Sequence, residues 1–361
     1  MALPRIPNIQ VSLCSPGGTQ ILRIPALKPA IALLLALFMV ACGGSSGGSS
    51  GPPTGPTPPM PTVDGGQWFN RAPLIEPLSE LALAEANRKI YLLGGYPASR
   101  QTARTVQVYD ISTNEWTLGP PLPQPNNHGM AAGVFGKIYL IGGQTTDVSE
   151  GPYVDTVYEL DPARGTWVEK ARMPTARSAG VAVVHNGLIY VAGGRPPRGS
   201  DFAVYDPMAD RWDTLPSLPS QRNHLTGAAI NGRIHVVGGR LGQGLSQAMT
   251  TAQEVFDPIT LSWTTAAPML RARSGMNGVM ARGCFHVWGG EGPSGMFPDH
   301  DYYDPRSNQW IRLRDMPIPV HGVYGSAFVD GLIWAPGGGT NIGGNHGSLH
   351  NQVFSPSVSC E

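Results

Sequence analysis

The run GVAVVHNGLIYVAGG at residues 180–194, followed by Tyr205-Asp206-Pro207 and then Trp212, decides the fold. Residues 180–185 form one short apolar stretch and residues 188–192 a second, with Asn186-Gly187 between them. Asn-Gly suits a two-residue hairpin turn, because both central positions take positive φ. LIYVA (188–192) is apolar at every position, as expected of a strand covered on both faces of its sheet. A loop leads to a third strand ending at Tyr205-Asp206-Pro207. Trp212, six residues after the aspartate, lies on a fourth.

The same sequence of features recurs. Diglycines begin at Gly94, Gly142, Gly193, Gly238, Gly289 and Gly337, at spacings of 48, 51, 45, 51 and 48 residues. Trp68, Trp116, Trp167, Trp212 and Trp263 each precede the next diglycine by 26 residues, and Trp310 by 27. The turn slot holds Asn231-Gly232, Asp330-Gly331, Phe135-Gly136 and Arg282-Gly283, and departs to Asn87-Arg88 in the first unit. The aspartate recurs in Tyr109-Asp110, Leu160-Asp161-Pro162, Phe256-Asp257-Pro258 and Tyr303-Asp304-Pro305. A period near 48 built from short strands means stacked or radial repeats. Diglycine, Tyr-Asp-Pro and tryptophan in this register resemble the kelch repeat over residues 66–356, which implies an all-β propeller. The sixth unit stops after Val353-Phe354-Ser355-Pro356 without its tryptophan strand, whereas Trp68 stands before the first unit. The expectation is therefore a six-bladed kelch β-propeller whose N-terminal strand completes the last blade. Such closure removes exposed sheet edges.

Ahead of the expected propeller at 63–361, Arg23 and Lys28 precede the apolar run AIALLLALFMVA (30–41). This is too short to span a bilayer, which takes ~20 residues, but suits a signal peptide over 1–41. Met39-Val40-Ala41-Cys42 resembles a bacterial lipoprotein signal, which implies lipid on Cys42. Residues 43–62 contain only Gly, Ser, Pro and Thr apart from Met60, so 42–62 reads as a lipidated spacer that cannot bury a core. The expected location is the cell envelope, anchored to the outer membrane because Gly43 follows the cysteine.

Composition narrows the function. Twenty-five basic residues balance 25 acidic ones, and only 14% of the chain is charged against ~25% usually. No basic excess exists to bind nucleic acid. No GxxxxGK[ST], HExxH, GxSxG or paired CxxC motif occurs, so classical nucleotide, zinc-protease and serine-hydrolase chemistry has no support. His235 and His286 occupy the slot of Tyr91, Tyr139, Tyr190 and Trp334, three residues before their diglycines, which reads as ring packing between blades. No metal or cofactor is expected. Galactose oxidase, a seven-bladed kelch enzyme, uses copper and a cysteine-linked tyrosine, but here six blades are counted and Cys284 falls in a strand. Cys284 begins the second strand of blade five and Cys360 trails the third strand of blade six. In antiparallel blades both points lie on one face, which allows a disulfide in an oxidising compartment.

Loops at the starts of first strands and ends of second strands share one face around the channel. Counting back sixteen from each diglycine gives Leu78, Asn126, Arg177, Arg222, Arg273 and His321. Two residues on come Glu80, His128, Ala179, His224, Gly275 and Val323, and past the diglycines come Tyr96, Gln144, Arg195, Arg240, Glu291 and Gly339. The cluster Arg177, Arg195, Arg222, Arg240 and Arg273 in a neutral chain points to an anion, because guanidinium forks suit carboxylates. The same arginines can instead tie loops together by hydrogen bonds. The expected activity is non-catalytic binding of a protein or glycan, anionic by this charge pattern, to a monomeric tethered propeller. The alternative is a sugar epimerase or mutarotase on an acidic sugar such as sialic acid, since N-acetylneuraminate epimerases are similar in blade number, size and compartment. There Glu80, Glu291, His128 and His224 would supply acid and base, and the arginines a carboxylate clamp.

Overall fold

The computed structural model describes residues 62–361 except 148–150, and the backbone of 10–15 and 18–23. The chain divides into Met1–Pro58 and Pro59–Glu361. In the first unit, Gln10–Ser15 pairs antiparallel with Gly18–Arg23. The expected signal segment, Cys42 and the spacer otherwise lie outside the described residues.

The second unit is an all-β propeller of six blades. Blade three shows the pattern: Val181–His185, Leu188–Ala192, Phe202–Asp206 and Arg211–Thr214 pair in sequence order, each antiparallel to the next. The turn residues take the positive φ their sequences call for, Asn186 at 51° and Gly187 at 77°. Asn87 and Arg88, without a glycine, take it too, at 54° and 62°. Each Tyr-Asp aspartate caps its turn. Asp206 Oδ1, for example, accepts from the Met208 amide at 2.9 Å.

Ring closure follows the sequence. Gly66–Asn70 pairs antiparallel with Asn351–Pro356, completing the blade built on Ala327–Val329 and Leu332–Pro336. Val323–Tyr324 additionally pairs parallel with Leu81–Ala82 of blade one, joining blades six and one at the channel.

Blades are held to one another at two radii. Outside, five of the repeat tryptophans donate Nε1–H to a backbone carbonyl ahead of their blades: Trp116 to Ala72, Trp167 to Pro120, Trp212 to Ala171, Trp263 to Pro216 and Trp310 to Ala267, at 2.8–3.0 Å. Inside, the second diglycine amide donates to the next blade, as Gly194 N–H does to Arg222 O at 3.0 Å. A Cβ on Gly193 would lie 2.6 Å from that same oxygen, so the close approach excludes a side chain. The apolar core fills the wedges between blades; His235 and His286 are buried there, in ring contact with Tyr303 and Phe354.

The C-terminal tail returns to blade five. Cys360 is disulfide-bonded to Cys284, and its amide donates to Arg282 O at 2.8 Å.

Candidate functional site

A continuous circle of backbone hydrogen bonds surrounds the channel. His128 N–H donates to Glu80 O, Ala179 to His128, His224 to Ala179, Gly275 to His224, Gly322 to Gly275, and Leu81 to Gly322 O closes it, all at 2.7–3.1 Å. Glu80, His128, Ala179, His224, Gly275 and Gly322 all have positive φ, between 51° and 70°. Glycine meets this demand freely, whereas a side chain there costs about 1–2 kcal/mol. Glu80, His128, Ala179 and His224 nevertheless carry side chains where glycine fits better.

Their side chains meet. Glu80 Oε2 lies 3.1 Å from His128 Nε2 and accepts from the Tyr324 hydroxyl at 2.8 Å. Glu80 Oε1 lies 3.2 Å from His321 Nε2, which is also 3.4 Å from Glu291 Oε2. Arg240 donates through Nη1 to Glu291 Oε1 at 3.0 Å and through Nη2 to His224 Nε2 at 2.7 Å. Arg195 Nη2 donates to His128 Nε2 at 3.0 Å. Gly322 must be bare, because a Cβ there would lie 2.7 Å from the Glu80 carboxyl carbon.

These contacts set the charges. Burial pushes the Glu80 carboxyl up, but His128, His321 and the Tyr324 hydroxyl outweigh it and hold it well below the usual range. Burial lowers His128 to about 3, against the pull of Glu80 and with the help of Arg195. Burial and Arg240 likewise drive His224 well down. Burial also opposes charge on His321, but Glu291 and Glu80 prevail and raise it. Its Nδ1 faces Gly339 O at 3.1 Å, and its Nε2 receives the Gly344 amide at 3.0 Å beside the two carboxylates. Of the two guanidiniums on the histidines, Arg240 is paired with Glu291.

Arg195 has no such partner. It is 6% exposed, no carboxylate lies within ion-pair distance among the described residues, and its Nε has no hydrogen-bond partner. A cavity of about 230 Å³ opens beside it, lined by Tyr96, Arg100, His128, His224, Arg240 and Gln243 among others. Burial and the Glu80 charge push the Tyr96 phenol up to about 12, so it keeps its proton.

Of the residues expected at this mouth, Glu80, His128, Arg195, His224, Arg240 and Glu291 line the cavity and His321 backs it. Arg177, Arg222 and Arg273 are corrected. They are buried inside their own blades and serve backbone and neighbouring carboxylates. Arg177 donates to Val191 O and Asp201 O; Arg222 to Glu254 Oε2 at 2.8 Å; Arg273 to Asp301 Oδ2 at 2.8 Å. Their backbone carbonyls receive the diglycine amides of the preceding blades, and the side chains turn outward between strands. His321 is shifted by one. The Gly290 amide bonds to Val320 O, so Val320 holds the arginine slot and His321 matches Ser79, Asn127, Ser178, Asn223 and Ser274. One extra residue between slot and diglycine in blade six displaced the count, and Gly322 rather than Val323 joins the circle.

Tyr324 and the Asn127 and Asn223 amides were not anticipated. The repeated Asn-His at 127–128 and 223–224 was the available signal. Glu80, His128 and His224 could each give one ligand atom to a metal, within 4.8 Å of one another. Guanidinium donors already point at both histidine lone pairs, and their charge repels a cation. The donor set fits an anion better.

Comparisons agree with the architecture. The KLHDC2/KLHL20/DRC7 Kelch-repeats domain matches residues 72–239. Kelch-like protein terF of Aspergillus terreus is 37% identical over 93 residues, 24% of this chain and 20% of that protein. Kelch-like protein 7 of Rattus norvegicus is 42% identical over 157 residues, 43% of this chain and 27% of that protein. Kelch-like ECH-associated protein 1B of Danio rerio is 31% identical over 102 residues, 27% of this chain and 16% of that protein. The chain thus spans between 16% and 27% of the length of these relatives. The solved structure of YjhT aligns with a TM-score of 0.65 at 17% identity, covering 77% of this chain and 95% of that one, a likeness of fold.

Proposed function

We propose that this chain, a kelch-repeat β-propeller of six blades, binds an acidic sugar at its channel mouth and interconverts the sugar's anomers. The observation that carries the reading is Arg195, a buried guanidinium without a carboxylate partner beside an open cavity. An anionic ligand offers that guanidinium its partner. Anomer exchange needs a base for the anomeric hydroxyl and an acid for the ring oxygen. The ring C–O bond breaks as both protons move, and closes again on the other face. His128 and His224, held neutral, are the candidate bases, and Tyr96 is the candidate acid. The acidic-sugar class comes from the resemblance to N-acetylneuraminate epimerases.

One observation favours a second reading, non-catalytic binding. Both histidine lone pairs already accept from arginines, so a base is free only after Arg195 or Arg240 turns to the ligand. Proton NMR of anomer exchange on sialate and hexuronates, beside calorimetric titration, separates the two. Accelerated exchange supports the enzyme, saturable binding without acceleration supports the binding module, and no binding of any sugar acid overturns both.

The proposal extends to the envelope, with lipid on Cys42 and residues 43–62 as the spacer. Cys42→Ser is expected to move the protein from the membrane to the soluble fraction; unchanged membrane association overturns the anchor.

A further inference from the structure

We infer that Asn127 and Asn223 are positioning residues that fix the tautomer of the adjacent histidines and present Nε2 as the basic atom in the cavity. The inference rests, for its catalytic part, on the anomer-exchange reading above.

The same position in the six blades carries Ser79, Asn127, Ser178, Asn223, Ser274 and His321. Asparagine occurs only in the two blades whose next residue is a histidine. In both, the amide is oriented unambiguously. Asn127 Nδ2 donates to Thr102 Oγ1 and Thr146 O, each at 2.8 Å. Asn223 Nδ2 donates to Gly242 O at 2.9 Å, and Arg240 Nε donates to Asn223 Oδ1 at 3.3 Å. With nitrogen committed to these acceptors, the amide oxygens are left facing the rings. His128 Nδ1 lies 2.6 Å from Asn127 Oδ1, and His224 Nδ1 lies 2.5 Å from Asn223 Oδ1. An acceptor at that distance places the proton on Nδ1, and one neutral imidazole holds one proton. On the neutral rings Nε2 therefore carries the lone pair, and the guanidinium donors of Arg195 and Arg240 approach that atom; at His128 the Glu80 carboxylate, at 3.1 Å, competes for a proton there, so the Asn127 acceptor decides.

Serine, which other blades use here, is one atom shorter and leaves the ring without its acceptor. The ring would then be free to hold the proton on Nε2, where Glu80 lies 3.1 Å from His128. Such a tautomer has no base facing the cavity. The pattern repeats across blades two and four, which places two oriented imidazoles in contact, with ring centroids 5.3 Å apart.

The test is nitrogen-15 NMR of the histidine side chains in the folded protein at pH 7, with His128→Gln and His224→Gln used for assignment. Both rings are expected as neutral Nδ1–H tautomers. Asn127→Ser, a residue this position tolerates in three blades, is expected to give a mixed tautomer at His128, where Glu80 can accept an Nε2–H. Its kcat for anomer exchange should fall about 10–100-fold with KM nearly unchanged, the size usual for loss of an orienting partner. Asn127→Asp keeps the acceptor and should restore the Nδ1–H proton. A wild-type ring protonated on Nε2, or Asn127→Ser with tautomer and kcat unchanged, overturns the inference. Absence of exchange by the wild-type protein overturns the enzymatic reading alone, because the tautomers are measured without substrate.

Discussion

Trp68 lies directly across from Phe354 in the sheet, and their rings meet at 5.1 Å between centroids. One residue opens the propeller and the other ends it, 286 positions apart in the chain. The bond between the first and last segments of the fold is therefore a pair of ordinary antiparallel partners. Phe354 is fully buried and also packs edge-on against His300 at 4.5 Å.

Truncating that ring should loosen the whole circle. Phe354→Ala is expected to cost about 3–5 kcal/mol, the usual range for a buried aromatic. Denaturant titration reads it as a lower midpoint; a shift worth less than about 1 kcal/mol would mean the seam contributes little to global stability.

The tail is a second closure. The Cys284–Cys360 bond encloses a sequence separation of 76 residues. Cys360→Ser should lower stability by about 2–4 kcal/mol, through the freedom returned to the unfolded chain. The wild-type protein should show the same loss in reductant, and the variant no further loss. Equal midpoints with and without reductant would contradict this.

The arginines divide into two classes with opposite signatures. Arg222→Ala strands the Glu254 carboxylate inside blade four and should cost about 3–5 kcal/mol. Arg195→Ala removes a cation that has no carboxylate partner, so stability should change little while affinity for a sugar acid falls. If Arg222→Ala weakened binding in a protein of wild-type stability, the assignment of that residue to the scaffold would be wrong.

Acid should unfold the protein well above the usual carboxylate range. Burial lowers His235 to about 4 and His128 and His286 to about 3, and drives His224 and His300 well down. Each is neutral when folded and gains a proton when unfolded below pH ~6.5, so stability rises with pH across that window. Each contributes a slope of up to about 1.4 kcal/mol per pH unit. Glu80, held low when folded, adds stability that is present above its unfolded value and is lost as pH falls below about 4.3. His321, raised when folded, acts in the opposite sense: its contribution is complete below pH ~6.5 and fades as pH climbs through the folded value. Denaturation midpoints measured from pH 4 to 9 should therefore fall steeply between 6.5 and 4. A flat profile there would contradict neutral burial of the histidines.

Most of the architecture is legible in the sequence, because the interactions that define a blade are short-range and repeat. Asn186-Gly187 sets its hairpin through its own φ preferences, Asp206 caps its own turn, and the 26-residue step from tryptophan to diglycine is one strand order written six times. The mouth was only partly legible. Glu80, His128, His224, Arg195, Arg240 and Glu291 were found by register, which places a backbone position on a face. Register does not say where a long side chain goes. Arg177 and Arg195 both start near the channel, yet one turns between strands to reach Val191 O and the other meets His128 of the preceding blade.

The sequence by itself determined the six-fold repeat, the closing partner of Trp68 and the positions facing the channel, since each follows from local hydrogen bonding and apolar periodicity. Only the tertiary structure decided which charges are compensated. Burial acts on each group, and the Glu291 carboxylate of blade five reaches both Arg240 and His321 across the channel. Those distances exist only once six blades share one axis.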